Sequence, residues 1–244
     1  MQVIFLLFLA FCLIVLIWHL LTRRYLNPFK MTFILGKKGS GKSTLLVKTA
    51  YTYLRKGWNV YSNVRIPGTF FVSDDDLKTI GSNGFDNHSC ILIDEVGLIW
   101  HSRDFKSFPA KTREWFKLQR HFKCRVFLFS QTFDIDKSLR DLTDEMFLVD
   151  NKLRVFSYAK RILRRPVLIK PSPEAPARLD DELKFDSFLF AIFGSRHFTF
   201  IPKWSKFFNS FVTPDIPPIA CEYQPLNLPP KLMRRAFGRD WRKF

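Results

Sequence analysis

Gly36, Lys37, Lys38, Gly39, Ser40, Gly41, Lys42 and Ser43 carry the spacing G-x-x-x-x-G-K-S. That spacing builds a phosphate cradle. Its glycines let backbone N–H groups wrap a triphosphate, Lys42 reaches the β- and γ-phosphates, and the Ser43 hydroxyl can ligate Mg²⁺. With Thr44 at the start of the following helix, Gly36 to Thr44 is the expected nucleotide-binding set, with ATP and Mg²⁺ as its ligands. The bland alternative is a chance Gly/Lys/Ser-rich turn, and the flanking sequence argues against it.

Asp94 and Glu95 supply what the cradle lacks. A carboxylate at a strand end beside the cradle, Asp94, can hold Mg²⁺ through water. A second carboxylate one residue on, Glu95, can act as general base on the attacking water. The pair favours hydrolysis over nucleotide storage; a strand-end capping pair is the rival reading. Gln131, at the end of the next strand, is placed to sense the γ-phosphate or orient water. In that role its loss lowers turnover more than affinity. A surface glutamine is the alternative. Ring-forming ATPases often borrow an arginine from a neighbouring subunit. Arg113, Arg120 and Arg140 are the candidates here, against a solvated or DNA-facing charge. The catalytic set is therefore Glu95, Lys42, Gln131 and Arg140, and the metal set Ser43 and Asp94.

The elements that must position these groups can be read around them. Met31 to Leu35 is a short apolar strand leading into the cradle. Thr44 to Leu54 is an apolar-periodic helix, ended by Gly57, whose N-terminus faces the phosphate. Trp58 to Val64 reads as a second strand. Cys90 to Ile93 reads as a buried parallel strand ending on Asp94 and Glu95. Residues 97–110 read as a connecting loop or lid, Lys111 to Phe122 as a basic helix, and Cys124 to Ser130 as the strand ending at Gln131. Asp136 to Leu142 reads as a short helix, with strands at Glu145 to Asp150 and Leu153 to Tyr158. Asp74, Asp75 and Asp76 read as a helix N-terminus rather than a metal site. Strands alternating with helices predict an α/β fold with a mainly parallel sheet and the ligand at the carboxyl ends of its strands.

Val3 to Leu21 carries no Asp, Glu, Lys or Arg, and only His19 is polar. That length crosses a hydrocarbon core. Arg23, Arg24 and Lys30 follow, with Trp18 and Tyr25 at interfacial positions. The positive-inside rule then places the N-terminus outside and the rest of the chain in the cytoplasm. A cleaved signal peptide would need a basic n-region and a small-residue cleavage site, and neither is present. The organisation expected is an anchor over 1–24, a nucleotide-binding domain over 25–165, a proline-rich linker over 166–184, and a basic aromatic region over 185–244.

Formal net charge is +17, which favours anionic partners such as nucleic acid or an anionic membrane face. Hydrophobic residues make up 47 %, ample for a core, and the 28 phenylalanines exceed what a core needs. The four cysteines show no C-x-x-C spacing and read as reduced, structural thiols. One basic stripe runs through Lys152, Arg154, Lys160, Arg161, Arg164, Arg165 and Lys170, with Phe156 and Tyr158 between. Another occupies the tail from Lys231 to Lys243. Phosphate neutralisation with base stacking suits single-stranded DNA. Attraction of the first stripe to lipid is the alternative. Phe188 to Phe193 is too short to span, and residues 185–211 form either a cytoplasmic packing surface or an interfacial segment.

Taken together, Gly36 to Ser43, Ser62-Asn63-Val64, Ile91 to Glu95, Arg120-His121 and Phe129-Ser130-Gln131 resemble the zonular occludens toxin-like ATPases of filamentous bacteriophages, which are related to the FtsK/HerA group. The resemblance covers roughly residues 31–160. It implies a P-loop NTPase of the additional-strand, catalytic-Glu type. It also implies a membrane-bound ATP hydrolase that helps extrude single-stranded phage DNA as coat protein assembles. The partners it implies are the membrane, single-stranded DNA, further copies of the chain (a hexameric ring among the forms), and phage coat or export-channel proteins. Many members carry their membrane helix after the ATPase domain, whereas here it comes first. The readings in competition are another membrane-bound conjugation or packaging ATPase, a nucleotide-gated scaffold, and a small-molecule kinase.

Overall fold

In the computed structural model Met31–Leu35 is buried at every position. This is β1, the strand that every other part of the site is built around. The structure describes residues 2–22, 25–82, 84–100, 109–133, 136–152, 154–169, 178–187 and 196–207. Ahead of β1 stands α1 (Gln2–Thr22), a 21-residue helix with no buried residue. At 1.5 Å per residue it is about 30 Å long, the thickness of a hydrocarbon core. It is apolar on every face and meets the length and composition of a membrane span.

After β1 come α2 (Lys42–Leu54), β2 (Asn59–Ser62), β3 (Phe70–Phe71), α3 (Asp74–Lys78), β4 (Ser89–Ile93), α4 (Val96–Ile99), α5 (Ala110–Leu118), β5 (Arg125–Ser130) and α6 (Lys137–Asp141). Then follow β6 (Glu145–Lys152), β7 (Phe156–Ile169), β8 (Arg178–Phe185), β9 (Arg196–Phe200) and α7 (Ile201–Trp204). Among the described residues the strands form one sheet in the order β3-β2-β4-β5-β1-β6-β7-β8, with β9 also on β7. The pairs from β3 through β6 are parallel, and those made by β7 are antiparallel. β5 therefore separates the cradle strand β1 from the carboxylate strand β4. This is the α/β, additional-strand P-loop NTPase arrangement.

The sheet carries apolar side chains on both faces, as strands buried between helices must. On one face Leu45, Leu46, Val47 and Ala50 of α2 cover Ile34, Leu92, Phe129 and Phe147. On the other, Leu77, Val96, Trp115, Phe116 and Leu139, from α3 to α6, cover Phe33, Ile91, Ile93 and Leu128. Cys90 and Cys124 are buried and unbridged, and Cys12 is an exposed free thiol on α1. The acidic triplet caps α3: Ser73 and Asp76 form a reciprocal capping box.

Three expectations are revised. The break expected at Arg165-Pro166 lies inside β7, which runs on to Ile169 and pairs with β8 from Ile162 onward. Pro166 is accommodated because β7 beyond Ile162 is laddered to β8 and no longer to β6, so the missing N–H costs no central ladder bond. The expected strand at Leu153 to Tyr158 begins only at Phe156 and runs on into this longer strand; Arg154 and Val155 lie in the turn before it. Likewise, the expected loop over 97–110 begins with the short α4; residues 101–108 lie outside the described residues, as do Phe188 to Phe193 and the tail stripe.

Candidate active site

β1 delivers Gly36 to the carboxyl edge of the sheet, where its N–H donates to Ser130 O at 3.2 Å. The loop that follows needs its glycines. Gly39 and Gly41 sit at φ +76° and +91°, a left-handed region that costs an L-residue roughly 1–2 kcal/mol. A Cβ on Gly36 would stand 2.5 Å from Ser40 Oγ, and one on Gly41 2.6 Å from Ser157 Cβ. Lys37, Lys38 and Gly39 form the exposed crest. Asn151 of β6 donates to Gly39 O at 3.1 Å, so the β6–β7 pair braces the crest from the side. α2 begins at Lys42, and Thr44 Oγ1 closes its first turn on Gly41 O at 2.7 Å. Ser43 lies half-buried beside them.

Lys42 is only 7 % exposed, and its ammonium folds into the loop, donating to Gly36 O at 2.7 Å and Lys37 O at 3.2 Å. Burial lowers its pKa below the ordinary lysine value, while Glu95 and Asp94 act to raise it. Those carboxylates leave the end of β4 under tight backbone control. Asn63, just past β2, receives the Asp94 N–H at 2.8 Å and donates to Asp94 O at 3.0 Å and to Asp74 Oδ1 at 3.0 Å. Glu95 then turns left-handed, φ +47° and ψ +48°. A glutamate in that region is strained by about 1–3 kcal/mol, and such strain is typical of residues aimed by a functional site. Its Oε1 accepts from Gln131 Nε2 at 2.5 Å. Lys38, Glu95, Leu98 and Gln131 border a cleft of about 410 Å³.

The predicted residues thus gather at one edge: the loop, Lys42, the Asp94-Glu95 pair and Gln131. Arg140 does not join them among the described residues. Its guanidinium lies over the Phe133 ring at 5.8 Å and donates to Phe133 O. Arg120 and His121 are exposed past α5, at the amino end of β5, opposite the end that carries Gln131. Asn63, Asn151 and Ser157 were not singled out as site residues by their sequence. Each is a lone polar side chain whose partner is distant in the chain, and only the position of Asn63 just past a strand end offered a signal.

The site fits a nucleotide and a divalent cation. Ser40 Oγ is buried in the loop with no hydrogen-bond partner among the described residues. Burial first, and the Glu95 charge second, push Asp94 up to about 6 from 3.8. A carboxylate that is costly to ionise invites a cation. The sign of the pH effect follows. Between pH 4 and 6 the native state binds the proton that the unfolded chain releases, so stability falls as pH rises through that window and stays lower above it. In EDTA and without nucleotide, Asp94→Asn is expected to raise the melting temperature at pH 8, by the equivalent of roughly 1–3 kcal/mol. At pH 4 it should change little. Equal shifts at both pH values would show that the carboxylate charge is not the cause.

Three solved structures show partial similarity to this chain. The chain is similar to the N-terminal domain of zonular occludens toxin from Neisseria meningitidis. Identity with that domain is 17 %, over 67 % of this chain and 97 % of the toxin domain, with a TM-score of 0.44. The genome packaging NTPase B204 from Sulfolobus turreted icosahedral virus 2, solved with ATP-gammaS, is 14 % identical over 52 % of this chain and 77 % of its own, TM-score 0.41. The flagellar accessory protein FlaH from Methanocaldococcus jannaschii is 15 % identical over 54 % and 77 %, TM-score 0.42. No family model and no curated protein matches the chain. The fold assignment therefore rests on the strand order and the loop geometry of the chain itself.

Proposed function

We propose that this chain is a membrane-anchored ATPase that drives assembly and extrusion of filamentous phage, exporting single-stranded DNA through the host inner membrane. The observation that carries the reading is Glu95, strained and held by Gln131 beside Asp94 and Lys42, in a chain that enters its sheet directly from α1. Bound ATP lies along Gly36 to Thr44. Lys42 neutralises the β- and γ-phosphates, Gln131 orients the water, and Glu95 takes its proton as the water attacks the γ-phosphorus and the bond to the β–γ bridging oxygen breaks, releasing ADP and phosphate. Ser43 and Asp94 would hold Mg²⁺, which supplies charge neutralisation on the phosphate oxygens. The basic residues after the span orient the N-terminus outward and keep the site in the cytoplasm with its ATP. Further copies would complete the motor, and Arg140, Arg113 or Arg120 would act across that interface.

The test is genetic. In a phage-producing host, Lys42→Ala is expected to abolish virion release while phage single strands accumulate inside the cell. Release at the wild-type level from a Lys42→Ala genome would overturn the reading.

A further inference from the structure

β7 has two faces, and they do different things. Ser157 and Ala159 point toward α2: both are buried, and Ser157 is the side chain that a Cβ at Gly41 would strike. Phe156, Tyr158 and Lys160 point the other way. On that face α3 to α6 cover β1, β4 and β5 together with Met146 of β6 and Ile162 of β7, and among the described residues leave the ladder from Phe156 to Lys160 and its β9 partners uncovered. The uncovered strip is aromatic. Phe156 pairs with Phe200 across the ladder, ring centroids 5.4 Å apart, and Tyr158 with Phe198 at 4.7 Å. Phe198 is 61 % exposed, Phe185 57 % and Phe200 46 %. Lys160 Nζ lies 5.7 Å from the Tyr158 ring and 5.6 Å from that of Phe185. Lys152 flanks the first pair, opposite Phe156, and pairs at 3.0 Å with Asp150, which stands opposite Tyr158.

We infer that this face of β7 and β9 is a stacking platform for single-stranded nucleic acid, an inference that rests on the proposed function. Flat rings in register on a sheet, with ammonium groups between them, match unpaired bases and their phosphates. Stacking tolerates any base, and the lysines supply the salt-dependent term. A face meant for another protein's core would carry aliphatic side chains rather than cations between its rings. A lipid surface fits less well. The chain enters the sheet from α1 at Lys30 and Met31, where Lys30 pairs with Glu145 and Met31 N–H with Asp144. The platform lies at the far end of β6, about 20 Å further along the strand. It also lies back-to-back with the phosphate loop: Ser157 packs on Gly41, and Lys48 of α2 donates to Phe198 O at 2.5 Å, so the platform and the nucleotide site share one strand.

The experiment compares the full chain in nanodiscs with its Tyr158→Ala/Phe198→Ala/Phe200→Ala variant, using fluorescein-labelled oligo-dT. The expected result is an affinity loss of about tenfold or more in the variant, with basal Mg-ATP hydrolysis unchanged and its stimulation by oligo-dT lost. A Lys152→Gln/Lys160→Gln variant should lower the salt slope by about two phosphate contacts. Oligo-dT binding at wild-type strength in the triple variant overturns the inference, whether the variant has instead lost self-association or affinity for anionic-lipid discs. A chain that never hydrolyses ATP yet loses oligo-dT binding in the variant overturns only the functional reading.

Discussion

Glu95→Gln is expected to lower steady-state ATP turnover by about 10²–10⁴-fold, the range for loss of a general base. ATP affinity should hold or tighten, because the substitution removes one negative charge facing the γ-phosphate. The geometry survives the change: an amide oxygen can still accept from Gln131 Nε2, and the left-handed backbone at this position is set by β4 and α4. Only the capacity to take a proton is lost. Turnover and nucleotide affinity measured on the same preparation separate the two effects. A variant that hydrolyses ATP at nearly the wild-type rate would remove Glu95 from the chemistry.

Gly41→Ala is expected to destroy the cradle rather than the chemistry. The backbone there sits at φ +91°, and the added Cβ would meet Ser157 Cβ at 2.6 Å and Ser157 Oγ at 2.9 Å. The left-handed conformation costs about 1–2 kcal/mol, and overpacking against a strand adds about 1–3 kcal/mol. If the loop escapes both by leaving its nucleotide-competent form, ATP affinity falls by about 100-fold or more. Ser157→Gly in the same chain removes the contact but not the φ strain, so it should recover part of the affinity. Full affinity in Gly41→Ala, or no recovery in the double variant, would show that Ser157 does not press on the loop. Equilibrium titration with a fluorescent ATP analogue reads both outcomes.

Much of this site was legible because its chemistry is local. Gly36 to Ser43, with an apolar strand before and a helix after, needs no long-range information. The same holds for the run Cys90 to Ile93 ending on two carboxylates, and for the strand ending at Gln131. What the local pattern could not carry was pairing. That β5 lies between β1 and β4 is a property of the sheet. The clamp of Asn63 on Asp94 spans 31 residues, and the brace of Asn151 on Gly39 spans 112. Neither leaves a periodicity. Pro166 misled for a physical reason: proline stops helices and central strands, but tolerates a ribbon laddered on one side only. Of the aromatic region from residue 185 on, the described residues hold one strand, β9, whose five residues are too few to leave a period.

The central claim is that this chain hydrolyses ATP at a membrane face. It is tested most directly by reconstituting the full chain in sealed vesicles, adding Mg-ATP outside, and measuring phosphate release against the Lys42→Ala variant. Vesicles sorted for outward-facing Lys42 sites should release phosphate continuously, and the variant should not. Release no greater than that of Lys42→Ala, in vesicles shown to hold the protein with its loop outside, would contradict it.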